Sequence, residues 1–253
     1  MPSVAALRLQ IERSVEHRFP SALTPSPRTI REVASTGIGE VDALLEGGLP
    51  VGAISEILGP ASSGRTSLTL AFVARRTESE QRCAWVDVMD AFDPESAAAN
   101  GVALSHLLWV RCRHPERQTK AKPWSRLDQA LRATDLLLQV GGFAAIVLDL
   151  GDTAPEHGNR IPLATWFRFR QAADRTRCCL VIVAQADYAQ SSAAAVLECA
   201  PEHAESAGGT ILRGFNFSVR RERERFVPFS AAARKPPAST WSAGAAWHSE
   251  RRA

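Results

Sequence analysis

The sequence predicts a three-layer α/β domain whose central sheet is mostly parallel. Three observations carry this. The runs 143–150 and 178–184 are apolar without alternation, stretches of helical periodicity separate such runs, and a Gly- and Ser-rich turn at 59–64 joins one run to a helix. A strand that is apolar at every position must be covered on both faces, and helices that return the chain to the same edge of the sheet supply the cover. With 253 residues, 45% hydrophobic and 23% charged, the chain can build one such core with short arms, which excludes wholesale disorder.

In chain order, Val4, Leu7, Ile11 and Val15 recur at three- and four-residue spacing, so 4–18 is expected to be an amphipathic helix. It ends before Pro20, and Pro20, Pro25 and Pro27 with Ser and Thr between them predict an extended linker. Residues 1–34 therefore read as an arm, 35–229 as the core and 230–253 as a flexible tail. Within the core, strands are expected at 53–58, 83–88, 143–150 and 178–184. Helices are expected at 66–76, at 93–100 where Asp-Pro opens a short one, at 124–139 with Leu127, Leu131 and Leu138 on one face, and at 163–176. Two further strands, 210–219 and 224–229, fit an antiparallel edge hairpin separated by 220–223.

No window approaches the roughly 18 apolar residues of a membrane helix, and the N-terminal stretch lacks a signal-peptide apolar core, so a soluble, cytoplasmic protein with no membrane partner is expected. The five cysteines form no C-x-x-C pair or metal spacing and read as buried reduced thiols. The net charge of +3 is unevenly spread: from Arg213 onward there are nine Lys/Arg against three Asp/Glu. Basic character is thus concentrated at the C-terminal end.

The chemistry-bearing stretch is Gly59-Pro60-Ala61-Ser62-Ser63-Gly64-Arg65-Thr66-Ser67. It fits G-x-x-x-x-G-K-[ST] except at Arg65, which stands where lysine is usual. The glycines let successive N–H groups and a helix N-terminus converge on a phosphate, with the Thr66 hydroxyl available to Mg²⁺. A planar guanidinium is wider than an ammonium and must sit differently beside the phosphates, which favours retained affinity over retained catalytic positioning. Downstream, the run 144–149 is an apolar strand ending in Asp149, placed to hold a magnesium shell with Thr66. A strand-terminal Asp also serves as a turn cap, but an upstream phosphate-type loop favours the metal role.

The order of landmarks from Ser35 to Val219 resembles the RecA recombinase family. The resemblance rests on the lead-in from Ser35-Thr36-Gly37 to Gly52, on Glu56-Ile57-Leu58-Gly59-Pro60, on Trp85-Val86-Asp87-Val88-Met89-Asp90, and on Gly208-Gly209 followed by the strand 210–219 and then Arg220-Arg221. It implies ATP or ADP with Mg²⁺ as ligand, held by Gly59, Ser62, Ser63, Gly64, Arg65, Thr66 and Ser67. Asp93 would contact the base edge and Gln185 would sense the terminal phosphate. Departures from the family pattern bear on activity. Its water-activating glutamate falls on Met89, a thioether that cannot accept a proton. Asp90 is adjacent but should point to the opposite face. The family's adenine-stacking aromatic falls on Ser96. Weak or lost nucleotide binding and little hydrolysis are expected.

The family's DNA-gripping loop falls on 186–207, yet no Lys or Arg occurs between Arg177 and Arg213, whereas Asp187, Glu198, Glu202 and Glu205 do. Such a loop forgoes counterion release. Better DNA or partner contacts are Arg213, Arg220, Arg221 and Arg223, with Trp241 and Trp247 as stacking platforms or as anchors for a protein partner. Phe19-Pro20-Ser21-Ala22 resembles the F-x-x-A element of recombinase self-association, which assigns Phe19 and Ala22 to a partner or self contact. Eroded catalytic groups with a basic, Trp-containing extension resemble the ImuA type of RecA relative. That implies an accessory, scaffolding role in damage-induced translesion synthesis and mutagenesis under SOS control, with a polymerase-like ImuB-type partner and RecA itself as partners. The alternative is a divergent DNA-dependent ATPase in which Asp90 or a neighbouring subunit supplies the base.

Overall fold

A computed structural model describes residues 32–112, 124–207, 211–224 and 238–244. The short strand β1 (Val33–Ala34) pairs antiparallel with β2 (Leu49–Pro50) and brackets helix α1 (Gly39–Leu44). Asp42 in α1 accepts hydrogen bonds from the Ser35 hydroxyl at 2.5 Å, the Thr36 N–H at 2.7 Å and the Thr36 hydroxyl at 2.7 Å. This carboxylate folds the lead-in back on itself, so β1, ahead of Ser35, pairs with the core.

The α/β alternation follows. In order come β3 (Ile54–Leu58), α2 (Arg65–Glu78), β4 (Cys83–Asp87), α3 (Pro94–Ala99), β5 (Leu107–Arg111), α4 (Trp124–Val140) and β6 (Ala145–Asp149). After these come α5 (Pro155–Gly158), α6 (Leu163–Thr176), β7 (Cys179–Ala184), β8 (Ala193–Ala207), β9 (Ile211–Glu224) and β10 (Ala238–Gly244). They form an eight-stranded sheet ordered β10-β9-β8-β3-β7-β6-β4-β5. From β5 to β8 neighbours are parallel, and β9 and β10 extend the sheet antiparallel.

Alternate residues of the central strands enter two cores. Ile146 and Leu148 join Leu127, Leu138, Trp166 and Phe169 of α4 and α6 on one face, while Val147 joins Leu68, Phe72 and Val73 of α2 on the other. That two-sided burial is why β6 and β7 read as unbroken apolar runs. The strand order also brings the loops after β3, β4, β6 and β7 to one edge of the sheet, the usual place for a ligand in open parallel sheets.

Three expectations about the C-terminal third are corrected. Residues 193–207, expected to lie in a loop, form β8, paired with β3 on one side and β9 on the other. The strand expected to stop before Arg220 runs through Arg220, Arg221 and Arg223 to Glu224 along β8. Within the segment expected to be a flexible tail, 238–244 is strand β10, with Trp241 opposite Phe217. The reason is common to all three. Ala-, Glu- and Pro-containing segments have weak strand propensity, and pairing with an existing edge overrides it. Pro201 sits where the β8–β9 register shifts, as a residue without an N–H should. β5 was not anticipated either. The N-terminal helix, the linker with Phe19 and Ala22, the segment 225–229 and Trp247 lie outside the described residues.

All five cysteines are buried and free. Burial pushes the Cys83 thiol up to about 12 and Cys112 up to about 11, consistent with inert packing residues. Among the described residues no helix is long and apolar enough to cross a membrane.

Candidate nucleotide-binding site

The loop between β3 and α2 curls because three of its residues take left-handed backbone: Gly59 at φ 149°, Ser62 at 60° and Gly64 at 86°. Gly64 is also required sterically. A β-carbon there would stand 2.7 Å from Cγ of Phe217, whose ring lies against the loop from β9. Gly59 likewise passes under β8, where a β-carbon would meet the Cys199 carbonyl oxygen at 2.3 Å. The Ser63 hydroxyl is buried without a hydrogen-bond partner. The result is a cradle of loop N–H groups capped by the N-terminus of the 14-residue helix α2, which fits a phosphate.

A cavity of about 540 Å³ opens beside this cradle. Arg65, Thr66, Met89, Asp93, Ser96, Asp149 and Asp152 line it, so the structure gathers residues from the ends of β3, β4 and β6 around one space. A second hollow, of about 300 Å³, is lined by Ser62, Ser63, Gly64, Thr66, Ser67, Phe215 and Phe217. Arg65 is only 8% exposed. Its guanidinium crosses to the turn after β6, where it donates to the Gly151 carbonyl at 3.5 Å and to Asp152 Oδ1 at 3.3 Å. Gln185, at the tip of β7, donates to the same Asp152 oxygen at 2.7 Å.

Asp149 is held from two directions, by the Trp85 indole N–H at 3.2 Å and the Gly151 N–H at 2.9 Å. Burial, and after it the nearby Asp87 carboxylate, push its carboxyl up to about 6. Each oxygen keeps a lone pair, so Asp149 and the Thr66 hydroxyl fit the water shell of a magnesium ion brought in by phosphate oxygens. Among the described residues no group of three or more His, Cys, Asp or Glu could hold a metal by themselves.

The β4 side is organised differently. Asp87 accepts the N–H groups of Ala91 at 3.1 Å and Phe92 at 2.8 Å, and the Trp109 indole at 3.3 Å. This hook carries Phe92 into a cluster between Trp85 and Trp109, at centroid distances of 4.9 and 5.3 Å. Met89 faces the cavity and is 42% exposed. Asp90, at φ 59°, grips Arg111 through Nε at 2.5 Å and NH2 at 2.9 Å. Its carboxylate is engaged in a bidentate pair with Arg111. Asp93 caps α3, accepting from the Glu95 N–H at 3.3 Å, the Ser96 N–H at 3.2 Å and the Ser96 hydroxyl at 2.5 Å. The Ser96 bonds hold its carboxyl below the usual carboxylate range.

The residues expected to touch DNA or a partner are dispersed along β9. Arg220 is paired with Glu198 and Glu222, Arg213 is exposed and Arg221 half-buried, and Arg223 lies in the β9 backbone opposite Val196. Trp241 is corrected from surface platform to core residue. It is 6% exposed and packs on Phe217 at a centroid distance of 4.8 Å. Sequence reasoning missed Trp85, Asp87, Asp152, Glu56 and Phe217. Glu56, Trp85 and Asp87 lie within the family-like runs, yet nothing local in the sequence marks the contacts that any of the five makes.

With this geometry in place, comparison with known proteins is informative. The model of the RecA N-terminal domain matches residues 6–154. The protein RecA of Rickettsia canadensis is 30% identical over 198 residues, covering 72% of this chain and 54% of that protein. RecA of Rickettsia bellii is 31% identical over 198 residues with the same coverage. The chain thus spans about half the length of the curated relatives it matches. A crystal structure of the RadB recombinase superposes with a TM-score of 0.56 over 82% of this chain and 94% of that one, at 18% identity, a likeness of fold.

Proposed function

Because this chain belongs to the RecA family, we propose that it is a DNA-repair accessory protein that binds a nucleoside polyphosphate with little or no hydrolysis and acts through contacts with partners. The observation that carries this reading is the β4 end of the cavity. Met89 stands where a proton acceptor is needed, and Asp90 is drawn off by Arg111. The phosphate cradle, by contrast, keeps the backbone shape that holds an anion. A bound magnesium ion would neutralise phosphate charge, its water shell held by Thr66 and Asp149. Within the family, the altered residues favour the ImuA type, a scaffold in translesion synthesis with an ImuB-type polymerase-like partner. DNA contact and self-association belong to the same proposal. DNA would approach the exposed Arg213 of β9 in preference to Arg220, which is already paired with acids.

The test is titration of the full chain with a fluorescent ATP analogue, with and without Mg²⁺ and single-stranded DNA, followed by phosphate release on the same sample. Saturable binding with no release above buffer is expected. DNA-stimulated turnover abolished by Asp149→Ala would replace this reading with a divergent ATPase.

A further inference from the structure

We infer that Asp152 is a built-in competitor for the terminal phosphate: its carboxylate occupies the cation that a bound polyphosphate needs, so that ligand entry requires Asp152 to let go. The inference deepens the nucleotide-binding reading above and rests on it. Arg65 is the helix-start cation of the phosphate loop, and a guanidinium this buried requires an anionic or carbonyl partner. Here the partners are internal, Asp152 Oδ1 at 3.3 Å and the Gly151 carbonyl at 3.5 Å. The same Asp152 oxygen accepts the Gln185 amide at 2.7 Å, so a single carboxylate oxygen joins the start of α2 and the tip of β7 to the turn after β6.

A phosphate seated in the cradle and paired with Arg65 would stand beside that carboxylate. Two anions beside one guanidinium repel each other and leave one negative charge uncompensated, which favours departure or neutralisation of one of them. Asp152 is the group able to leave. Its side chain is 63% exposed, whereas that of Arg65 is 9% exposed, so the carboxylate can swing into water at little desolvation cost. Its departure also frees Gln185, which leads into the segment whose Tyr188 and Ala189 N–H groups are fastened to Glu56 at 3.0 and 2.8 Å. Occupancy of the cavity is thereby linked to the start of β8.

The experiment titrates fluorescent ATP and ADP analogues, with Mg²⁺, into the wild-type chain, Asp152→Asn and Asp152→Ala. Asn keeps an acceptor for Gln185 and removes only the charge. Both variants are expected to bind the triphosphate at least tenfold more tightly than wild type. Wild-type and variant affinities that coincide, or weaker binding by Asp152→Asn, would overturn the competitor role and leave nucleotide binding intact. No binding by any of the three proteins up to millimolar ligand would overturn both. Thermal melting with sodium tripolyphosphate gives a second readout. The anion should raise the melting temperature of Asp152→Asn more than that of wild type, and an equal rise counts against the inference.

Discussion

The loops after β3 and β4 open into the same cavity, and each strand carries a buried carboxyl that ties down neighbouring chain, yet the two ends serve different purposes. In β3, Glu56 fastens the Tyr188 and Ala189 amides from across the sheet, while the loop beyond it keeps the left-handed turns of a phosphate cradle. In β4, Asp87 fastens the Ala91 and Phe92 amides of its own following segment, and that segment is filled with aromatic rings and an Asp90–Arg111 pair. The β3 end has a backbone shape that suits an anion. The β4 end is packed with aromatic rings and an ion pair. Binding and hydrolysis are therefore separable at the level of single strands, because the first needs a loop shape and the second needs one side chain in one place.

The largest expected effect tests whether the cradle is the rigid end. Gly64→Ala places a β-carbon 2.7 Å from the Phe217 ring and forces a residue with a side chain to hold φ 86°. Left-handed strain and overpacking together should cost about 3 kcal/mol in urea unfolding, with loss of nucleotide binding. At the other end, Met89→Ala removes a side chain that is 42% exposed and should cost under about 1 kcal/mol. Similar costs for the two substitutions would remove the contrast.

The second test concerns Glu56. Burial, and with it the neighbouring Asp187 carboxyl, push its carboxyl from 4.5 to about 8, so the folded chain holds a proton that the unfolded chain has released. The sign follows: its contribution to stability is complete below about pH 4.5 and is lost as pH rises through about 8. Glu56→Gln keeps an acceptor for the two amides and cannot titrate. Unfolding free energies from urea titrations between these limits should fall for wild type by an amount on the order of a few kcal/mol, and the Gln variant should lack that part of the decline.

What could be read in the sequence follows the same division. Gly59, Gly64, Arg65, Thr66 and Asp149 declare themselves because a phosphate loop is local: spacing along one turn sets its geometry, and the strand ending in Asp149 announces its own burial. The helix 163–176 was legible in full for the same reason. Strands β8 and β10 and the C-terminal end of β9 were misread because their pairing is decided by partners far along the chain. Ala193–Ala207 carries acids and a proline, and only the open edge of β3 makes it a strand. Trp241 looked like a surface aromatic because nothing near it in sequence shows that Phe217 lies opposite. Asp152 was passed over since its meaning depends on where Arg65 and Gln185 end, at 3.3 and 2.7 Å from one oxygen.

The smallest effect sharpens the reading of the β4 end. Asp90 combines a left-handed backbone at φ 59° with a bidentate grip on Arg111, and the two features oppose each other in stability. Asp90→Gly relieves the backbone and loses the pair, so its unfolding free energy should stay within about 0.5 kcal/mol of wild type. Asp90→Ala loses the pair and tolerates the left-handed conformation worse than Asp, so it should be about 1 kcal/mol less stable than the Gly variant. Phosphate release should be the same for both variants and for wild type, since a carboxylate with both oxygens paired to Arg111 is not placed to take a proton from water. If either substitution lowers a measurable turnover, Asp90 is the base after all, and the β4 end retains its chemistry.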